Sequence, residues 1–577
     1  MMRSLDWGDS GRINKRITIL SVVILLFFLA IIARLFWLQV IRHEQYADQG
    51  LRQQQTISTV SATRGQIFAR DHTNVGGSDL YPLAANKIFY EIFAAPSKVT
   101  RPDNSAEALA TILDLKKEDL LPRLEKTDDQ YELIKHKVPV EQKKQIEALQ
   151  LPGILSREEI WRYYPDKEIG AQLLGFYGYL NDDKVGKYGL ESYWDKQLAG
   201  VDWIGSWFKS PAGIAIGGQS GGDKAVNGAD LILTIDRTIQ YQACKALDRA
   251  VKDLGASDGT VIIEETTTGR ILALCNSPSF DPNVYNEVQD IGRFNNNVVF
   301  DAYEPGSVFK VLAMSVAIDS GKVTPATTYE DKGVVKLAGF EIHNSDRKAH
   351  GVVTMTQVLE QSLNTGMIFA TENVPNNVFK NYLSNYGFGQ KYNLELDQEV
   401  SGDISSLSKQ GQIHKATASY GQGITVTGLQ LVNAVNAIAN RGQLMQPYIV
   451  EEVKNDKGMV ENRQPKVLRQ VITSDTASKV TAMMVSVVEN GFGKKAGVPG
   501  YYIAGKTGTA QVVENGKYSD KTIQTFVGFG PVSSPRFTMV TKLTNPSGAA
   551  WAESSATPLF GEIAKFLLNY YQIPPER

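Results

Sequence analysis

The sequence predicts an α+β protein carried by an apolar N-terminal helix, and three observations lead there. Residues 17–33 are almost wholly apolar, interrupted only by Thr18 and Ser21. Strand-like stretches stand at both ends of the second half, at 231–235, 260–264 and 270–275 and again at 501–513, 525–530 and 536–543. Between them, from 305 to 440, the patterns are mainly helical. Strands from two distant stretches with helices inserted between them imply a single sheet completed from distant sequence.

Each element follows in order. The apolar run, with Leu35-Phe36-Trp37-Leu38 beyond Arg34, is long enough to cross a bilayer. Arg12, Lys15 and Arg16 flank its start, which argues for a cytoplasmic tail over 1–16 and a span over 17–40. A cleaved signal peptide is the rival reading. The run is long, however, and no small-x-small site followed by a break is obvious, so an uncleaved anchor is favoured. Residues 44–228 alternate short pieces, helical at 106–115 and 140–149 and strand-like at 87–93 and 130–134. No active-site grouping emerges in them. The glycine-rich stretch 213–228 reads as a hairpin or linker and marks a domain boundary, leaving 229–577 as the second domain. That domain opens with the strand at 231–235 and a helix over about 238–252. It closes with a helix capped by Thr557-Pro558, whose apolar face is Leu559, Ile563, Phe566, Leu567 and Tyr570.

Composition excludes several classes. The chain has 577 residues, 42% of them hydrophobic, which suits several domains and a sizeable core. A net charge of −2 and a pI near 6.4 give no global signature of nucleic-acid binding. The six histidines show no metal-ligand spacing and no Cys-x-x-Cys pair exists, so neither metal nor cofactor is expected. Cys244 falls on a helix face with Ile239, Leu247 and Val251, and Cys275 ends a strand. Two buried free thiols are the expectation.

The chemistry gathers around Tyr303-Glu304-Pro305-Gly306-Ser307-Val308-Phe309-Lys310. Pro305 and Gly306 suit a turn into a helix, and Gly321 with Lys322 suits its exit. The helix between is apolar all round and belongs inside a core. Ser307 and Lys310 share one face, and a serine needs a neighbouring base before it becomes a nucleophile. Burial and the helix N-terminus both disfavour an ammonium at Lys310, which makes it that base. By chance alone about two Ser-x-x-Lys matches are expected in such a chain. Two later stretches strengthen the case. In Glu360-Gln361-Ser362-Leu363-Asn364-Thr365-Gly366, the Ser362 hydroxyl can pass a proton between Lys310 and a leaving amine, and Asn364 can bind a peptide amide through both ends of its carboxamide. Read by itself, that tripeptide is a polar helix cap. In Gly505-Lys506-Thr507-Gly508-Thr509, Lys506, Thr507 and Thr509 offer charge and donors to a carboxylate, and Gly508 lets a substrate strand approach. A phosphate-binding loop is denied by the strand-like residues on both sides.

The order Ser-x-x-Lys, Ser-x-Asn, Lys-Thr-Gly is the motif set of penicillin-binding proteins and serine β-lactamases. The whole chain resembles a class B penicillin-binding protein, nearest the division-type transpeptidases. Ser419-Tyr420-Gly421-Gln422-Gly423, Ser277-Pro278-Ser279-Phe280-Asp281-Pro282-Asn283, Leu233-Thr234-Ile235-Asp236 and Phe526-Val527-Gly528-Phe529 also match that family. Upstream, Arg64-Gly65-Gln66-Ile67 with Arg70-Asp71, Arg162-Tyr163-Tyr164-Pro165 and Gly189-Leu190-Glu191 resemble its membrane-proximal pedestal, of the dimerisation type. The departure is Asp71-His72, where the family has an asparagine-glycine turn. The resemblance implies a non-catalytic pedestal over 44–228. It also implies a transpeptidase domain with a mixed, mainly antiparallel sheet, flanking helices and an inserted helical subdomain. It assigns Ser307 as nucleophile on a D-Ala-D-Ala stem peptide, Lys310 as base and Ser362 as proton relay. Asn364 would orient the donor, Lys506, Thr507 and Thr509 would hold its carboxylate, and the N–H groups of Ser307 and Thr509 would form the oxyanion hole. A neighbouring peptide's amine is the acceptor and β-lactams are the inhibitors. The implied partners are a membrane-embedded glycan polymerase and division or elongation proteins, and the implied place is the bacterial cytoplasmic membrane with the catalytic domain outside.

Other readings fit less well. A class A β-lactamase would use Glu-x-x-Leu-Asn, but here Glu360 to Asn364 overlap the Ser-x-Asn motif itself. A bifunctional enzyme needs a glycosyltransferase domain, and 44–228 shows none of its acidic motifs. A scaffold without turnover is opposed by intact Ser307, Lys310, Ser362, Asn364 and Lys506. An elongation role remains beside the septal one.

Overall fold

The structure, a computed structural model, describes residues 10–44, 46, 55–71, 80–126, 128–180, 183–209, 215–219, 225–514 and 517–577. Residues 1–9 of the expected tail, His72, and positions 213, 214 and 220–224 of the glycine-rich stretch lie outside these. The chain divides into two compact units, Met1–Thr63 with Gly200–Asn227 and Arg64–Ala199 with Gly228–Arg577.

In the first unit the apolar run, free of Gly and Pro, forms one helix, Ser10–Phe36, continued by a π-helical turn, Trp37–Ile41. The stretch Lys15–Ile41 is long and apolar enough to cross a membrane and no part of it is buried. A helix apolar on every side and uncovered by protein is suited to lipid. The same unit holds a three-stranded antiparallel sheet with Trp203–Lys209 between Gln55–Val60 and Ala215–Gln219. The pairing of Trp203–Lys209 with Ala215–Gln219 makes the start of the glycine-rich stretch part of a hairpin.

The second unit carries two large sheets. The first runs Val460–Asn462, Val450–Lys454, Asp230–Asp236, Ile67–Arg70, Leu80–Ala94 and Glu132–Val138, with Ile154–Tyr163 also paired to Leu80–Ala94. Asp230–Asp236 is the strand expected to open the second half. It lies parallel to Ile67–Arg70 and antiparallel to Val450–Lys454, so one sheet draws on both halves of the chain. Helices Pro102–Leu113 and Val140–Ala148 cover its far end and bury Leu109, Leu113 and Ile146 against Ile92, Ile134 and Val138.

Three upstream stretches that are far apart in sequence meet beside this sheet. Glu191, fully buried, pairs with Arg64 at 2.6 Å and with Arg162 at 2.6 Å, and accepts from the Tyr164 hydroxyl at 3.2 Å. Burial opposes the charge on Glu191, yet the two guanidinium groups hold its carboxyl below the usual range.

The second sheet is the one the sequence implied. It runs Ile271–Ser277, Asp258–Glu265, Phe537–Thr544, Lys517–Gly530 and Ala504–Glu514, antiparallel throughout, so strands from the two ends of the domain meet at its centre. On one face lie Arg237–Asp253 and Ala556–Tyr570, and the closing helix buries Leu559, Ile563 and Leu567 as expected. The other face receives the inserted helices, among them Gly428–Ala439, buried along its whole length.

The reading of Cys244 and Cys275 as free thiols is corrected here: they form a disulfide, with Cα atoms 5.2 Å apart. The helix face and the strand were read as they are found. What the residue pattern lacked was their register, which Gln240 helps to set by exchanging two hydrogen bonds with Leu274 of the strand, both 2.8 Å.

Replacing Glu191 with Gln should leave buried Arg162 without its counter-charge and Arg64 with only Asp195, 2.8 Å away. Breaking a buried ion pair from one side costs about 3–5 kcal/mol. Denaturant unfolding of Glu191→Gln should show a loss of that order, and a loss under about 1 kcal/mol would contradict the role given to this triad.

Candidate active site

The segment around Ser307 folds as its residues require. Pro305 caps a 3-10 turn, Gly306–Phe309, that leads into the helix Lys310–Asp319. In a 3-10 turn residues i and i+3 eclipse, so Ser307 and Lys310 stand one above the other. Every residue from Lys310 to Ile318 is buried, which is why the helix is apolar all round. It stops at Ser320, and Gly321 takes a φ of +66° at the exit.

The stretch 419–427 is knitted to the approach to Ser307. The Gly306 N–H donates to the Gly421 carbonyl at 3.0 Å, Tyr303 and Val426 exchange backbone hydrogen bonds, and Glu304 accepts from the Gly423 N–H at 2.9 Å. A side chain at Gly421 would meet the Gly306 carbonyl oxygen at 2.1 Å, so only glycine fits there.

Ser-x-Asn lies at the junction of two helices, Met355–Glu360 and Asn364–Glu372, the second of which packs on the nucleophile helix. Ser362 sits in the turn between them at φ +55°, a left-handed conformation uncommon for a residue with a side chain. Lys-Thr-Gly lies on the edge strand Ala504–Glu514. There the expectation for Gly508 changes. A Cβ at this position would meet the backbone N and side chain of Val308 at 2.9 Å. The glycine lets the strand close on the turn that carries Ser307, and what approaches it is the protein's own chain.

The three motifs thus meet at one point. The Lys310 Nζ reaches the Ser362 carbonyl at 2.5 Å and its Oγ at 3.2 Å. The Lys506 Nζ reaches the same Oγ at 3.0 Å, and also the Thr507 carbonyl at 3.1 Å and hydroxyl at 3.3 Å. Both lysines are fully buried. Burial, and then the charge of Lys506, push Lys310 well below its ordinary value. Burial alone pushes Lys506 down to about 7. Burial thus disfavours the ammonium at both, and the neighbouring Lys506 charge further favours the neutral form at Lys310, as a base requires.

These groups border a pocket of about 290 Å³ lined by Ser307, Ser362, Thr507, Gly508 and Thr509. Gln361 and Leu363 of the Ser-x-Asn stretch also line it, and the rest of its wall comes from Asn344, Ser345, Asp346, Phe492 and Trp551 to Glu553, none of which carried a signal in the sequence. Thr509 Oγ1 accepts from the Ala552 N–H at 3.2 Å and retains its proton for a ligand. Asn364 is not among the residues lining the pocket: one amide N–H donates to the His343 carbonyl at 2.9 Å, which leaves its second N–H and its carboxamide oxygen. Far from this pocket, Glu91, His136 and Glu159 bring ligand-type atoms within 4.8 Å of one another. Arg157 already pairs with Glu91 at 2.8 Å and the His136 ring lies 2.9 Å from Glu159, so these groups are engaged with one another and with Arg157.

Comparison with known proteins adds independent findings. Residues 259–565 match the family described as the penicillin binding protein transpeptidase domain, and residues 59–233 match the penicillin-binding protein dimerisation domain. The chain is 30% identical to the peptidoglycan D,D-transpeptidase FtsI of Escherichia coli, over 98% of this chain and 93% of that protein. It is 29% identical to the stage V sporulation protein D of Bacillus subtilis, over 98% of this chain and 87% of that one. Among solved structures, penicillin binding protein 3 of Mycobacterium tuberculosis complexed with aztreonam superposes with a TM-score of 0.68 at 27% identity, covering 90% of this chain and 98% of that one. A transpeptidase-domain match over more than half of the chain, joined to likeness along nearly its whole length, means that this chain belongs to the penicillin-binding protein family.

Proposed function

We propose that the chain is a membrane-anchored peptidoglycan D,D-transpeptidase that cross-links stem peptides through a serine acyl-enzyme, in septal wall synthesis. The observation that carries this reading is the shared Ser362 hydroxyl, held at 3.2 Å by Lys310 and at 3.0 Å by Lys506 beside Ser307. The names of the relatives, a D,D-transpeptidase and a sporulation protein, support the reaction class. An elongation role, or a β-lactam-binding scaffold without turnover, is the alternative.

In the proposed cycle the donor's terminal carboxylate lies against Lys506, Thr507 and Thr509. Ser307 Oγ attacks the carbonyl of the D-Ala-D-Ala bond while neutral Lys310 takes its proton, and the N–H groups of Ser307 and Thr509 face the developing oxyanion. When the tetrahedral adduct collapses, the proton passes from Lys310 through Ser362 to the leaving D-alanine amine. The amine of a neighbouring stem peptide then attacks the ester, forms the new amide and returns a proton to Ser307. Asn364 orients the donor through its carboxamide oxygen. A β-lactam follows the first half of this path and stays attached to Ser307. No nucleic acid, metal or cofactor enters the scheme.

The implied partner is a separate glycan polymerase with its division or elongation proteins, met through the span and the 44–228 region. Arg34 followed by Leu35, Phe36 and Trp37 supplies an aromatic surface near one end of the helix. The positive residues Arg12, Lys15 and Arg16 support an N-terminus inside and a catalytic domain outside.

Intact-mass analysis after benzylpenicillin should show one adduct on the peptide containing Ser307, absent from Ser307→Ala. Lys310→Arg keeps charge but removes the usable base, so acylation should fall at least a hundredfold. Lys506→Arg should lose less, mainly in apparent affinity. An adduct that survives Ser307→Ala, or a Lys506→Arg rate lower than that of Lys310→Arg, would overturn the assigned roles.

For topology, protease added outside spheroplasts should digest the domain beyond residue 44 and spare the N-terminal tail. Full protection of that domain would reverse the orientation.

A further inference from the structure

A buried carboxylate behind the pocket is tied to the Ser-x-Asn turn. Asp331 ends the strand Thr328–Asp331 and is 1% exposed. Five donors converge on it: the Thr365 hydroxyl at 2.8 Å, the Asn344 amide at 2.8 Å, the Gly333 N–H at 3.0 Å, and the His350 N–H at 3.1 Å and ring Nδ1 at 2.7 Å. Burial opposes its charge, but the Gly333 N–H, the His350 ring and the Thr365 hydroxyl hold the carboxyl below its ordinary range.

Two of these donors belong to the site. Thr365 is the second residue of the helix that Asn364 begins, directly after the turn holding Ser362. Asn344 belongs to the pocket wall, and its side-chain oxygen accepts from the Thr365 N–H at 3.2 Å and lies 2.9 Å from the Thr365 oxygen, whose one proton goes to Asp331. Asn364 itself donates to His343, the residue before Asn344. The wall is braced on its other side too, because His350 Nε2 lies 3.1 Å from the rim residue Asp346.

We propose that Asp331, acting through Asn344 and Thr365, is a positioning residue that sets where the Ser362 hydroxyl stands between the two lysines. This inference rests on the transpeptidase reading of the same site. Ser362 lies in a left-handed turn with contacts of 3.0 and 3.2 Å to make at once, so its placement has little slack. Displacements of about 1 Å in such a constellation cost about a hundredfold in rate. The carboxylate grip is on a different element, the strand Ala504–Glu514, so loss of Asp331 should slow the chemical step and leave binding largely alone.

The test is stopped-flow acylation of the full-length, detergent-solubilised protein by a chromogenic cephalosporin, resolved into the acylation rate at saturation and the preceding dissociation constant. Asp331→Asn cannot accept from all five donors, and Thr365→Val keeps the shape but loses the hydroxyl. Both should lower the saturating rate at least tenfold with the dissociation constant within about threefold. Thr365→Ser, which restores the hydroxyl, should stay within about threefold of the native rate. A lower melting temperature with a native saturating rate would make the cluster merely structural and overturn the proposal, as would a rise confined to the dissociation constant. If Asp331→Asn fails to fold, the Thr365→Val and Thr365→Ser pair decides alone. Failure of the native protein to be acylated at all would sink the transpeptidase reading itself, whereas an acylated native protein matched by both variants would sink only this inference.

Discussion

Two buried ammonium groups cannot both stay charged at about 3 Å from one shared hydroxyl, and the active site is organised around that conflict. Water is excluded from both lysines, so neither charge is well solvated. Lys310 bears the larger penalty because it also feels Lys506. The result is a division of labour imposed by position: a neutral amine under the nucleophile and a cation beside the carboxylate grip. A surface pair of lysines would not divide in this way, so the depth of the site is part of its chemistry.

That depth depends on chain topology. Lys310 is buried because its helix runs through the centre of the domain, and Lys506 because its strand closes on the 3-10 turn where Gly508 has no side chain. The strand in turn is held by a sheet assembled from residues near 260 and near 540, two ends of one domain. A second sheet joins upstream residues to the same unit, and the Arg64–Glu191–Arg162 triad locks three upstream stretches beside it. The buried charges in the two places do opposite work. Upstream, Arg64 and Arg162 are matched by Glu191 and Asp195, and in the active site the lysines are left one counter-charge short, ready for a substrate carboxylate.

Much of this was legible in the residues. The α+β arrangement followed from where the strand patterns stand, and the central helix from having no polar face. Ser307, Lys310, Ser362 and Lys506 do meet, because each motif was read with the local structure that positions it. What the residues did not show depends on register between distant elements. Cys244 and Cys275 were each placed on the correct face, but the helix-to-strand alignment that joins them is not a local property. Gly508 was read as room for a substrate, because the identity of its neighbour, Val308, is set by tertiary packing. Asn364 was given both ends of its carboxamide for a substrate, and one of its two N–H groups is committed to His343. Asp331, Asn344 and the rim from Phe492 to Glu553 carried no signal, since a single buried carboxylate or exposed aromatic has no periodicity to reveal it.

The central claim is that burial pulls both lysines well below the ordinary lysine range. Carbon-13 labelling at lysine Cε, with Lys310→Arg and Lys506→Arg used for assignment, would follow each by NMR from pH 5 to 11 in the full-length protein. The account predicts that Lys506 titrates near 7 and that Lys310 titrates well below the ordinary lysine value. Two lysines titrating together near the ordinary value of about 10.4 would contradict it.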